Sequence, residues 1–137
     1  MSPVRMATIE QQMRITLALV DAFNSGDTAI AYPILDPECA LEDERAVCRP
    51  QADGGDTPPG TIRGRDAVLS HFAGVRKKNP EAKIISEDIL KSGHDCILLF
   101  RLEGTAPSRK IAVVRIRNSL AYAIQIYTKE GSAWNAY

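Results

Sequence analysis

The chain has little sulfur, few aromatics and no surplus of either charge. Its 137 residues include three cysteines, an odd count without regular spacing, which argues against a disulfide framework. Cys39 and Cys48 stand too far apart for the short Cys-x-x-Cys spacing of zinc sites, and His71 and His94 are isolated, so no metal site is expected. Seventeen basic residues balance seventeen acidic ones, leaving no net field to draw nucleic acid or an anionic membrane. The densest basic spot, "RKK" at 76–78, reads as a solvated helix end that complements the helix dipole. No apolar run approaches a membrane span, and "MSPVRMATIEQQM" lacks the apolar stretch of a signal peptide. A cytoplasmic protein without nucleic-acid or membrane partners is the expectation. No phosphate-binding glycine loop is present, so no cofactor is expected either.

What remains is an ordinary globular composition, 45% hydrophobic and 25% charged, read as one domain over residues 1–137 with room for a real core. Thr8 and Gln11 form a capping-box pattern at the start of a first helix. Ile9, Met13, Leu17 and Val20, with Leu19 and Phe23, predict a broad buried face on it. Gly26 stops that helix, and Asp27 can cap a second, short one through Tyr32, closed by Pro33 and Pro37. A strand over 39–47 leads into "CRPQADGGDTPPG", 48–60, a long loop insertion that is either a lid or a loose excursion. Arg65 to Lys78 predicts a third helix, with Val68, Phe72 and Val75 on its buried stripe. From Lys83 the period changes to two. "KIISEDIL", "DCILLFRLEG", "RKIAVVRIR" and "LAYAIQIYT" read as four strands of an antiparallel meander, before a polar tail at 129–137. Helices followed by a meander indicate an α+β domain with helices on one face of a sheet.

Alternation along the strands selects the candidates for chemistry. In "CALEDERAVC", Leu41 is the best core contact, and Asp43 shares its face while Glu42 and Glu44 take the other. For the last hairpin, a two-residue turn at Asn118-Ser119 puts Arg115 opposite Tyr122 and Val113 opposite Ile124. Ile111, Val113, Ile124, Ile126, Arg115 and Tyr122 then form the inward face. Ala112, Val114, Ile116, Ala121, Ala123 and Gln125 form a flat outer face suited to a homodimer.

Three segments, "LVDAFNSGDTAIA", "LDPECALED" and "PPGTIRGRDAVLSHF", in this order and spacing resemble the nuclear transport factor 2-like superfamily over residues 8–128. Its members include ketosteroid isomerase, limonene epoxide hydrolase, scytalone dehydratase and the SnoaL-like polyketide cyclases. The resemblance implies a cone-shaped fold, with three N-terminal helices enclosing a pocket against a curved, mostly antiparallel sheet, and often a homodimer through the outer sheet face. It also places Asp43 on the proton-shuttling base of the ketosteroid isomerase pattern. The two oxyanion donors of that pattern fall near Leu19 and Val113, neither of which can donate, so a steroid-type isomerase is not expected.

The resulting expectation is a small, largely apolar organic ligand. Asp43 would act as general base or water-positioner, and Arg115 would hold charge beside it, an arrangement similar to the Asp/Arg pair of limonene epoxide hydrolase. Isomerase, hydrolase, dehydratase and cyclase chemistry all fit this pair. A structural salt bridge between the two is the plainer alternative. His71 can reach the pocket as a general acid or lie half-exposed at a helix–sheet boundary. Tyr32, Val68, Phe72, Phe100, Val113, Tyr122 and Ile124 are candidates for the cavity wall or core. Cys96 reads as a small buried hydrophobe. A noncatalytic ligand-binding or protein-interaction module on the same scaffold is the rival function.

Overall fold

The computed structural model describes residues 9–43, 61–104 and 107–129. A 17-residue helix, α1 (Ile9–Ser25), ends where Gly26 takes a left-handed φ of 76°, its N–H closing on the carbonyl of Ala22 at 3.0 Å. Asp27 caps the next turn as its sequence position implies, its carboxylate accepting from the Ala29 N–H at 3.0 Å. That turn does not grow into an α-helix. Two single 3-10 turns, Thr28–Ile30 and Tyr32–Ile34, replace the expected second helix, and Pro33 sits inside the second of them. The capping partner Thr8, the loop 48–60 and the tail beyond Lys129 lie outside the described residues.

Strand β1 (Leu35–Asp43) begins four residues earlier than the sequence implied. Pro37, which has no N–H for a ladder, falls where the register with the neighbouring strand shifts, between Leu35 and Ala40. A three-residue strand, β2 (Thr61–Arg63), pairs antiparallel with β1 and precedes α2 (Arg65–Lys78), whose bounds match the expected third helix. The meander follows as β3 (Lys83–Ser92), β4 (Asp95–Glu103), β5 (Ser108–Arg117) and β6 (Leu120–Lys129).

These six strands form one mixed sheet in the order β2-β1-β6-β5-β4-β3. β1 runs parallel to β6, and every other pairing is antiparallel. The fold is therefore α+β, as expected, but its helices are not grouped at the N-terminus, since α2 follows two strands. α1 lies over β3 and β4, and α2 over β1.

The apolar face of α1 differs from the expected one. Ile15, Val20, Ala22 and Phe23 are buried with Gln12 and Thr16, whereas Ile9, Met13 and Leu17 are exposed. The helix carries apolar residues around most of its circumference, so periodicity alone could not choose the arc that meets the sheet. Two side chains then fasten the helix end. Asn24 donates to the Ile84 carbonyl at 3.0 Å and accepts from the Ile84 N–H at 2.7 Å, pairing the backbone of the edge strand β3. Arg76 on α2 points its Nη1 at the carbonyls of Phe23, Asn24 and Ala82, at 3.4, 2.6 and 3.1 Å, covering acceptors that the end of α1 leaves over. Phe23 and Phe72 meet edge-on between the helices, with ring centres 6.3 Å apart.

Candidate functional site

The helix-facing side of the sheet is best described by its cross-strand rungs. Leu41, Ile124, Val114 and Cys96 form one rung across β1, β6, β5 and β4. Ile126, Ala112, Leu98 and Ile89 form the next, and Thr128, Lys110, Phe100 and Ser86 the one after. Leu41, Ile124, Val114 and Cys96 join the larger buried cluster with Leu35, Cys39 and Val68, while Leu98, Phe100 and Ala112 pack with Val20 in a second. The expectation that Leu41 turns inward holds, for it is fully buried. Asp43 closes β1 with its backbone beside Ile126. Its side chain lies outside what the structure describes.

The last hairpin corrects the inward set. Asn118 and Ser119 do form the two-residue turn, with φ of 54° and 64°, and Arg117 pairs with Leu120 as expected. A β-bulge follows at once: Ile116 pairs with Ala121 but Arg115 pairs with Ala123, leaving Tyr122 as the extra residue. One unpaired residue flips every later partner to the other face. Ala112, Val114, Ile116 and Ala121 are consequently buried on the inner face, and Arg115 is exposed on the outer one. Val113 likewise turns outward, between Ile97 and Gln125. Arg115 and Val113 are thus not partners of an inward acid. Tyr122 lies under the Arg117 guanidinium, 4.5 Å from its ring centre.

The remaining candidates divide. Val68, Phe100 and Ile124 are core residues, and Phe72 is half-buried against the same core. His71 is half-buried on α2, its ring 6.1 Å from that of Phe72. Tyr32 is not a cavity wall: it is 44% exposed, its ring is covered by the Arg65 guanidinium at 3.8 Å, and its hydroxyl accepts from Arg65 Nη2 at 2.7 Å.

Sequence reasoning missed the polar side chains that do turn inward. Gln12 and Thr16 on α1 are 0% and 1% exposed, and Lys110 on β5 is 4% exposed. The Thr16 hydroxyl donates to the Gln12 carbonyl at 2.9 Å, Gln12 Nε2 lies 3.4 Å from the Gly93 carbonyl, and Lys110 Nζ donates to Thr128 Oγ1 at 3.0 Å. The four-residue spacing of Gln12, Thr16 and Val20 was the available signal, hidden by the more conspicuous aliphatic row. Lys110 could be found only once the bulge was known.

Comparison with solved structures decides the fold. A SnoaL-like protein of unknown function from Burkholderia thailandensis superposes with a TM-score of 0.74 at 14% identity, covering 90% of this chain and 99% of that one. The chain has the nuclear transport factor 2-like fold. Two further structures of this fold carry functional labels. One is a candidate polyketide cyclase from Sinorhizobium meliloti, with a TM-score of 0.68 at 16% identity over 83% of this chain and 94% of that one. The other is a candidate ketosteroid isomerase from Kribbella flavida, with a TM-score of 0.69 at 13% identity over 89% and 80%. No protein-family model and no curated protein matches the sequence.

Within this nuclear transport factor 2-like fold, no group of three His, Cys, Asp or Glu residues among the described residues is placed to hold a metal ion. No described helix is long and apolar enough to cross a membrane. One hollow lies elsewhere: a shallow groove of about 470 Å³ on the solvent side of α1, lined by Glu10, Met13, Arg14, Leu17, Ala18 and Asp21.

Proposed function

We propose that the protein binds a small, largely apolar organic molecule between its helices and the inner face of its sheet, which together close as a cone around it. The observation that carries this reading is the inward placement of Gln12, Thr16 and Lys110 among aliphatic and aromatic residues. Burying polar groups is costly, and pockets for small molecules combine a mostly apolar wall with a few such groups that orient the ligand. The polyketide cyclase and ketosteroid isomerase labels of two structural neighbours point the same way. The chemistry in view is cofactor-independent: isomerisation, hydrolysis, dehydration or cyclisation with Asp43, at the end of β1, as base. Arg115 has no part in it.

A thermal-shift screen against lipophilic ketones, epoxides and lactones tests the binding reading, because a ligand of the native state raises the melting temperature by mass action. For a compound that is also turned over, Asp43→Asn is expected to lower kcat by about a hundredfold or more. Unchanged turnover would remove Asp43 as the base.

The same fold also supports a noncatalytic interaction module. The exposed row of Ile9, Met13 and Leu17 along α1 favours that reading. Homodimerisation belongs to both readings. The outer sheet face carries the aliphatic residues Ile97, Leu99, Ile111 and Val113, each only half-buried, with exposed Tyr127 beside them.

A further inference from the structure

We infer that the molecule taken by the inner-face site is an organic anion whose charged group is received by the ammonium of Lys110. This rests on the ligand-binding reading above and adds the ligand's charge to it. Lys110 lies within the sheet, in one rung with Phe100 on β4 and Thr128 on β6, and Thr128 Oγ1 holds its Nζ at 3.0 Å. The side chains around that rung are those of the second apolar cluster: Val20, Leu98, Phe100 and Ala112, with Ile84 and Leu102 packed against it. A positive charge in such surroundings is poorly screened, so it attracts an anion far more strongly than a surface lysine does. A hydroxyl ligand on one side also fixes where the ammonium points, which favours one position for the incoming charge over many.

The sheet supplies the second half of the geometry. Ala112 presents only a methyl group in the rung between Lys110 and the end of β1. Asp43 ends β1 beside Ile126 in that same rung. Two strand spacings and one pleat repeat put the Cα atoms of Lys110 and Asp43 on the order of 12 Å apart, a span that a lysine side chain and a small ligand can share. An anionic head at Lys110 would leave the ligand's apolar body along Ala112 and Ile126, facing the Thr16 and Gln12 side of α1. A lysine serving only to tie strands together would show no preference for a charged ligand.

Two dyes separate these outcomes. 1-Anilinonaphthalene-8-sulfonate and N-phenyl-1-naphthylamine share one apolar skeleton and differ in the sulfonate. Fluorescence titration of the full chain is expected to give binding of the sulfonate at least about tenfold tighter than of the neutral dye. Lys110→Met should bring the two affinities within about threefold of each other, and Lys110→Arg should keep the preference, with circular dichroism confirming that each variant is folded. Should Lys110→Met fail to fold, NMR of the wild-type chain decides. The Lys110 side-chain methylene signals should shift with the sulfonate dye and hold still with the neutral one. Equal binding of both dyes by the wild type, or a preference that survives Lys110→Met, overturns the inference while leaving ligand binding intact. Failure of either dye to bind overturns the ligand-binding reading and this one together.

Discussion

Cys39 sits fully buried in β1, against the larger apolar cluster, with Asp36 three residues behind it. Burial first, and the Asp36 charge second, raise its thiol from an ordinary 9.0 to about 11. The thiol is therefore a protonated hydrophobe at neutral pH and a poor nucleophile. Iodoacetamide at pH 8 is expected to leave Cys39 unmodified in the native protein and to label it in urea. Because the folded value lies above the unfolded one, the stabilisation is complete below about pH 9 and is lost as the pH rises through about 11. The loss amounts to about 2–3 kcal/mol by the usual conversion. Urea midpoints measured from pH 8 to 11 should fall more steeply for the wild type than for Cys39→Ala, since subtracting the variant removes the other groups that titrate in that range. Parallel slopes would mean that Cys39 ionises without cost.

At the scale of elements, the β5–β6 hairpin determines most of what the sheet presents. Asn118 and Ser119 both adopt positive φ, the conformation of a tight turn whose twist matches its strands. A serine there carries a steric penalty that glycine avoids. Ser119→Gly is accordingly expected to raise stability by about 0.5 kcal/mol, a rise in melting temperature of a degree or more for a domain of this size, read by calorimetry. The turn was legible, because Asn-Ser between two alternating runs signals a two-residue hairpin. The bulge at Tyr122 was not, and it alone moved Arg115 and Val113 out of the proposed pocket. No residue in "LAYAIQ" is obliged to be unpaired; tertiary packing selects Ala121 and Ile124, the first too small and the second too apolar to face water, as the inward pair. α1 shows the same limit, since a helix that is apolar on several sides does not say which side the sheet takes. β2, at three residues, is too short for any period to register.

On the scale of the whole molecule, α2 and the four meander strands could be read from the sequence nearly to the residue, because each has an internal pattern and nearby turn chemistry. The parallel pairing of β1 with β6 joins segments some 80 residues apart and leaves no local mark. The outer face is the larger consequence of the corrected register. Ile97, Leu99, Ile111 and Val113 now lie where small alanines were expected, giving the dimer proposal a more apolar surface than the sequence implied. Sedimentation at micromolar concentration is expected to show a dimer, and Val113→Glu, which sets a carboxylate in the middle of that face, a folded monomer. A monomeric wild type would retire the dimer.

The position of β6 has a further consequence for how the chain is made. It is the last strand in sequence yet lies between β1 and β5, so the sheet has no continuous middle until residue 129 has emerged. During synthesis, β2-β1 and β5-β4-β3 are two separate ribbons with open edges, each waiting for the same late segment. A nascent chain halted after Arg117 would hold both ribbons and have nothing to join them.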